Sequence, residues 1–259
     1  RAAQSHTGAL VSSTAAIDAA VRAAGLVRVE TPREFVDLAQ LLLAESLPEG
    51  RRVAIVSDGG GSAVIAADLA ANAGLVLPHL SPELCLQLAE VLPATASTAN
   101  PVDFAGAGEQ DLRSYERVPR LLLESGEVDS VFLTGYLGGY SATSDELREP
   151  ETDAARGLAQ AAAEVGRPVV VQTMYWSEAP ARALREAGVA VYRAVDAAVS
   201  SLVKVIEREE ATAIPELPAA ETPLADCGYF SARELLAAGG VAFPEARRVA
   251  GPEEAATAA

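Results

Sequence analysis

The stretch that decides the fold is Val53-Ala54-Ile55-Val56-Ser57-Asp58-Gly59-Gly60-Gly61-Ser62. Its first four residues form a continuous apolar run, which is typical of a strand buried on both faces of a parallel sheet. The glycines allow the chain to turn closely, and residues 62–73 have the composition of a helix. A buried strand, a glycine-rich turn and a helix together predict one unit of an α/β sheet.

The same alternation continues along residues 51–207. Further strands are predicted at residues 75–77, 131–134, 168–173 and 189–192, with a short extended piece at 100–104. Helices are predicted from residue 82 and over residues 111–123, 152–165, 178–187 and 195–207. Because helices separate the strands, the connections predict right-handed crossovers. The fold class is therefore predicted to be α/β, a doubly wound parallel sheet with flavodoxin-like strand order.

Three other parts flank this segment. Within residues 1–47, the stretch 11–46 is predicted to be helical, with a helix start at Thr31-Pro32-Arg33-Glu34 and a break at Leu47-Pro48-Glu49-Gly50. Residues 208–223 have the composition of a linker. Residues 224–259 predict the beginning of another domain, with a helix at 229–238 and a strand at 241–243. The start without Met and the helix-like end predict a piece of a longer polypeptide.

The composition limits the classes of function. Half of the 259 residues are apolar, and 36 acidic against 20 basic residues give a formal net charge of −16. This charge argues against nucleic acid or an anionic membrane as a partner. Cys85 and Cys227 form neither a disulfide framework nor a metal-spaced cluster, which indicates a reduced, cytoplasmic location. We identify no membrane-spanning run, signal peptide or metal-binding motif.

The glycine loop is a candidate phosphate site. Backbone N–H groups of Gly59, Gly60, Gly61 and Ser62 would converge at a helix N-terminus, whose dipole favours an anion. The alternative is a tight turn that needs positive φ angles and binds nothing. Asp58 is a candidate helix cap, and its charge is unfavourable beside a phosphate unless the side chain faces away.

Asn100 and Asp103 both lie in the extended piece at residues 100–104. Their side chains are candidates for hydrogen bonds that orient the glycine loop. Ordinary turn chemistry, in which such side chains bond to nearby backbone, is the alternative.

His6 is the candidate for covalent chemistry. Only His6 and His79 occur in the chain, and His6 lies in the small-residue stretch Ser5-His6-Thr7-Gly8. Imidazole is both a nucleophile and a good leaving group near neutral pH, so such a histidine can carry a phosphoryl group. The alternative is an ordinary surface histidine.

The order of these motifs resembles that of the NDP-forming acyl-CoA synthetases. The resemblance rests on Ser5-His6-Thr7-Gly8-Ala9, Asp58-Gly59-Gly60-Gly61 and Asn100-Pro101-Val102-Asp103, and residues 235–245 are similar to the entry of an ATP-grasp domain. This family includes ADP-forming acetate–CoA ligase and, more distantly, succinyl-CoA synthetase. It implies that acid, CoA and ATP give acyl-CoA, ADP and phosphate through an acyl phosphate and a phosphohistidine.

The resemblance assigns roles to residues of this chain. His6 would be the phosphorylated residue, on a mobile loop supported by Ser5, Thr7 and Gly8. The helix beginning near Gly60 would stabilise the phosphate. Asp58 stands where many relatives have Asn, and its negative charge would weaken the binding of phosphate at that site.

The resemblance also implies domains and partners. Residues 1–47 would end a first flavodoxin-like ligase domain, residues 51–207 would form a second, and residues 224–259 would begin an ATP-grasp domain. The ligands would be a carboxylic acid, CoA, ATP or ADP and Mg²⁺. The CoA-binding and ATP-grasp domains would belong to the same chain or to a partner chain, the protein would be able to form a homo-oligomer, and this piece alone would be inactive. Two alternatives remain open: a non-catalytic regulatory or scaffold module, as in fused lysine acetyltransferases, and a flavodoxin-like binder of FMN or another phosphate ligand.

Overall fold

The computed structural model describes residues 14–210 and 228–258. The chain divides into two compact units, Arg1–Ala213 and Ile214–Ala259. The first unit contains the sheet and the glycine loop. The described part of the second unit contains two helices, α10 (Tyr229–Ala238) and α11 (Pro252–Ala258).

The first unit is built on a five-stranded parallel sheet. Its strands are β1 (Val53–Ser57), β2 (Val102–Asp103), β3 (Ser130–Gly135), β4 (Val169–Thr173) and β5 (Ala190–Tyr192). They lie in the order β2-β1-β3-β4-β5, which confirms the predicted doubly wound, flavodoxin-like arrangement. All residues of β1, β3, β4 and β5 are buried, as their apolar runs predict.

Helices cover both faces of this sheet. They are α1 (Thr14–Ala23), α2 (Pro32–Leu42), α3 (Gly60–Asn72), α4 (Pro82–Val91), α5 (Ser114–Glu124), α6 (Gly139–Thr143), α7 (Asp145–Val165), α8 (Ala179–Glu186) and α9 (Val195–Glu210). Alternate strand residues point to opposite faces. Ala54 and Val56 pack with α4, α5, α7 and α8, whereas Val53 and Ile55 pack with α2, α3 and α9.

Helix α2 packs against the sheet that the following segment of the chain forms. Its predicted start is confirmed, because the Thr31 side chain accepts a hydrogen bond from the Glu34 N–H at 3.1 Å. Leu38 and Leu41 are buried in the same cluster as α9. Residues 47–50, where the sequence predicts a break, follow the end of α2 at Leu42 and lie within the first compact unit. The domain boundary expected there stays a prediction.

The strand predicted at residues 75–77 is wrong. Val76 forms only an isolated bridge, in which it exchanges hydrogen bonds with Arg51 and Val53 at 2.8 Å. Pro78 lacks the N–H that further pairing would need. The Asn100 side chain occupies the backbone groups of β1 that would pair next. It accepts a hydrogen bond from the Ile55 N–H and donates one to the Val53 carbonyl.

The strand predicted at residues 241–243 is also wrong. These residues have no regular secondary structure, and the second unit has no strand among its described residues to pair with them. In addition, α9 continues through Glu210, into the residues predicted as linker. The rest of that linker lies outside the described residues.

Candidate functional site

The glycine loop lies at the carboxyl edge of the sheet, between the ends of β2 and β3. A Cβ atom added to Gly60 would lie 3.0 Å from Asp103 Oδ2, at the end of β2. A Cβ atom added to Gly135, at the end of β3, would lie 3.2 Å from Ser62 Oγ. The structure thus brings Gly60, Ser62 and Asp103 together, at the position where doubly wound sheets bind ligands.

The first N–H groups of α3 are free to bind an anion. Among residues 14–210 and 228–258, those of Gly59, Gly60 and Gly61 have no hydrogen-bond partner, whereas Ser62 N–H donates to the Gly59 carbonyl at 3.1 Å. A Cβ atom at Gly59 or Gly61 would meet no heavy atom within 4 Å. Free donors, open space and the helix dipole together suit a phosphate.

The alternative of a turn that needs positive φ angles is wrong. Gly59 is extended, with φ 168°, and Gly60 and Gly61 are absent from the residues with positive φ. Backbone strain therefore does not explain this run of glycines. A side chain at Gly60 would meet Asp103, whereas Gly59 and Gly61 have open space in front of them.

Asp58 faces away from the helix start. Its side chain is buried, and Oδ2 accepts hydrogen bonds from Tyr140 Oη at 2.6 Å and from Tyr115 Oη at 3.2 Å. A Cβ atom at Gly108 would clash with the same oxygen, so the Gly108 backbone approaches the Asp58 side chain closely. The prediction that Asp58 caps the helix is wrong, because no side chain caps α3 and Oδ2 is committed to the tyrosines.

Both tyrosines remain donors at any physiological pH. Burial, together with the nearby Asp58 carboxylate, raises the pKa of Tyr115 well above its ordinary value. Burial and the hydrogen bond to Asp58 likewise raise the pKa of Tyr140. The Asp58 Oδ1 atom is buried and has no hydrogen-bond partner among the described residues.

Glu151 is a further buried residue near this site, and no motif in the sequence indicates it. This fully buried carboxylate of α7 accepts hydrogen bonds from the Gly138 N–H at 2.7 Å, the Ser141 N–H at 2.7 Å and Ser141 Oγ at 2.5 Å. It thereby fixes the first turn of α6, the helix that carries Tyr140. Glu151 stands among other charged residues in the sequence, and no local pattern distinguishes it from them.

Asn100 and Asp103 have different roles. Asn100 is bound to the backbone of β1 and donates a further hydrogen bond to the Pro78 carbonyl at 3.3 Å. It therefore fixes the strand that leads into the glycine loop. Asp103 Oδ1 accepts from the Ala105 N–H at 2.9 Å, which confirms the turn chemistry proposed as the alternative for this residue.

A second feature of the carboxyl edge lies beyond β4 and β5. The Trp176 ring is contacted by the guanidinium groups of Arg185 and Arg193, with Cζ 3.8 and 4.3 Å from the ring centroid. A cavity of about 300 Å³ is lined there by residues 173–178 and Arg193. A cavity of about 210 Å³ lies between α1 and α9, and no residue of the glycine loop lines it.

The predicted carrier loop lies outside the described residues. This applies to Ser5, His6, Thr7 and Gly8, whose roles stay predictions. Within residues 14–210 and 228–258, no three His, Cys, Asp or Glu side chains are grouped so that they could hold a metal ion. In that same part of the chain, no helix has both the length and the apolar character needed to cross a membrane.

Known families match most of the chain. Residues 1–42 match the succinyl-CoA ligase-like flavodoxin domain, and residues 53–193 match the Ligase-CoA domain. The second match contains β1 to β5, the glycine loop, Asp58, Tyr115, Tyr140 and Glu151.

Curated relatives are CoA ligases. The alpha subunit of ADP-forming acetate–CoA ligase II of Pyrococcus furiosus is 32% identical over 196 residues, which are 74% of this chain and 41% of the relative. The ADP-forming 4-hydroxybutyrate–CoA ligase of Nitrosopumilus maritimus is 34% identical over 131 residues, 51% of this chain and 18% of the relative. The chain therefore spans less than half the length of either relative.

Solved structures share the fold. A Pyrococcus horikoshii OT3 protein superposes with a TM-score of 0.66 and 27% identity, over 79% of this chain and 46% of its own. The dinucleotide-forming acetyl-coenzyme A synthetase 1 of Ca. Korarchaeum cryptofilum, in complex with phosphate and ADP, superposes with a TM-score of 0.65 and 24% identity, over 82% and 44% of the two chains.

Proposed function

The chain belongs to the NDP-forming acyl-CoA synthetases, and from that premise we propose that it is the central part of an acid–CoA ligase. The complete enzyme would convert a carboxylic acid, CoA and ATP into acyl-CoA, ADP and phosphate. This chain would contribute the phosphoryl carrier, His6, and a helix N-terminus, the start of α3, that binds the phosphoryl group.

The observation that carries this proposal is the set of free N–H groups at Gly59, Gly60 and Gly61. They lie at the start of α3, with open space in front of Gly59 and Gly61. A transferring phosphoryl group carries negative charge on its oxygens, and donors fixed before the reaction stabilise that charge without reorganising. In a chain of net charge −16, such a local positive device is needed to attract an anion.

His6 would move the phosphoryl group between two sites. A nitrogen of its imidazole would attack the phosphorus of an acyl phosphate, and the carboxylate would leave. The phosphohistidine would then pass its phosphoryl group to ADP, which restores the free imidazole and forms ATP. In the direction of acid activation the same two steps run backwards, and CoA displaces phosphate from the acyl group.

The nucleotide, CoA and Mg²⁺ would be bound mainly by other regions of the polypeptide or by a partner chain. The described residues contain no group of carboxylates suited to Mg²⁺, so we assign it no ligand here. That all relatives quoted above are named CoA ligases supports a ligase rather than a flavin-binding module. A cytoplasmic location and a homo-oligomer stay predictions.

The products identify the reaction. The full-length protein, given ATP, CoA and a panel of carboxylic acids, is expected to release ADP and inorganic phosphate in amounts equal to the acyl-CoA formed. Mixtures that lack either the acid or CoA are the controls. AMP and pyrophosphate would indicate an adenylate mechanism and would contradict the proposal, as would an absence of acyl-CoA with every acid of the panel.

A further inference from the structure

A buried negative charge lies directly before the free N–H groups of the glycine loop. Asp58 is 8% exposed and precedes Gly59 in the chain. No cation forms an ion pair with it within the described residues, and one of its oxygens, Oδ1, has no partner there. Burying a carboxylate so incompletely compensated costs free energy. This cost requires an explanation beyond the packing of the turn.

The structure keeps this charge in place with several residues. Tyr140 and Tyr115 both donate to Oδ2. Tyr140 lies on α6, whose first turn is fixed by Glu151. Gly108 has no room for a Cβ atom beside the same oxygen. The carboxylate is thus held in one position, pointing into the protein rather than towards the open space before Gly59 and Gly61.

We propose that Asp58 sets the affinity of the glycine loop for phosphate through two opposing effects. Its hydrogen bonds to Tyr115 and Tyr140 fix the turn that aligns the N–H groups, which favours binding. Its charge repels the bound anion, which favours release. A site that passes a phosphoryl group onward has to bind it without retaining it. The proposal rests on the proposed function only in taking the loop as a phosphate site.

The two effects are separable by substitution. Asp58→Asn keeps an oxygen that can accept from both tyrosines but removes the charge. Tyr140→Phe keeps the charge but removes the shorter hydrogen bond. Asp58→Asn is therefore expected to tighten phosphate binding roughly fivefold, as expected for removing one charge close to an anion. Tyr140→Phe is expected to weaken it. A purely structural role for Asp58 predicts weaker binding in both variants.

The test is a titration of the whole chain with inorganic phosphate. Shifts of the amide signals of Gly59, Gly60 and Gly61 in NMR spectra of ¹⁵N-labelled protein give the dissociation constant. Asp68→Asn is the matched control, because Asp68 is an exposed aspartate of the same helix, about 12 Å along the axis from Gly60. Its removal is expected to leave the constant unchanged.

Opposite changes in Asp58→Asn and Tyr140→Phe would support the proposal. Unchanged or weaker binding in folded Asp58→Asn would overturn it while the phosphate site itself stands. If Asp58→Asn does not fold, Tyr115→Phe replaces it, and unchanged binding in both tyrosine variants overturns the proposal. An absence of phosphate-dependent shifts in the unaltered chain would overturn the phosphate site and this inference with it.

Discussion

Glutamate in place of Gly61 is expected to weaken phosphate binding strongly while the fold becomes more stable. Gly61 is the second residue of α3, and a Cβ atom there meets nothing within 4 Å. Replacing a helical glycine and adding a negative charge at a helix N-terminus should together stabilise the protein by about 1 kcal/mol. The same carboxylate would bind to the N–H groups at the positive end of the helix dipole, which phosphate needs, and would repel the anion. The affinity for phosphate should therefore fall at least about twentyfold.

Gly61→Gln separates charge from size. The amide has the same shape as the carboxylate and a similar helix propensity, but it does not repel an anion. We expect it to weaken phosphate binding by only a few-fold, with a comparable melting temperature. Calorimetry and the phosphate titration measure both quantities. If Gly61→Glu bound phosphate as well as the unaltered chain, the start of α3 would not be the anion site.

Removal of the Glu151 side chain is expected to destabilise the first unit severely. Glu151→Ala would leave three buried donors, the N–H groups of Gly138 and Ser141 and the Ser141 hydroxyl, without their acceptor. The loss should be about 3–5 kcal/mol of unfolding free energy, since each unsatisfied buried donor costs about 1–3 kcal/mol and partial relaxation recovers some of it. Urea denaturation followed by circular dichroism measures this change.

A conservative pair of variants tests the same contact more finely. Glu151→Gln keeps one acceptor but turns an NH₂ group towards a donor, so it should cost about 2 kcal/mol. Glu146→Gln makes the same change at an exposed position of α7 and should cost about 0.5 kcal/mol or less. Equal stabilities of these two variants would show that Glu151 does not fix the first turn of α6, the helix that carries Tyr140.

Local patterns predicted the sheet well because burial on both faces leaves a direct mark on the sequence. The apolar runs of β1, β3, β4 and β5 correspond to fully buried strands, and the Thr31 cap of α2 was visible from residue types alone. Residues 75–77 have the same apolar pattern. They fail to form a strand because a side chain from far along the sequence, Asn100, occupies the pairing groups of β1.

The site was predictable only in part, for the same reason. The glycine loop follows a buried strand directly, so its place at the carboxyl edge was predictable from local sequence. The environment of Asp58 could not be predicted from local sequence, because its hydrogen-bond partners Tyr115 and Tyr140 are 57 and 82 residues away along the chain. Glu151 could not be distinguished from exposed acidic residues, since its burial depends on how α7 packs against the loop after β3.

The most direct test of the central claim is phosphoryl transfer to His6. The full-length protein incubated with ATP labelled in its terminal phosphate is expected to acquire acid-labile label in the peptide that contains His6. His79→Ala, which removes the only other histidine of this sequence, is expected to retain the label, and His6→Ala is expected to lose both label and acyl-CoA formation. Label or acyl-CoA formation that persists in His6→Ala would contradict the account.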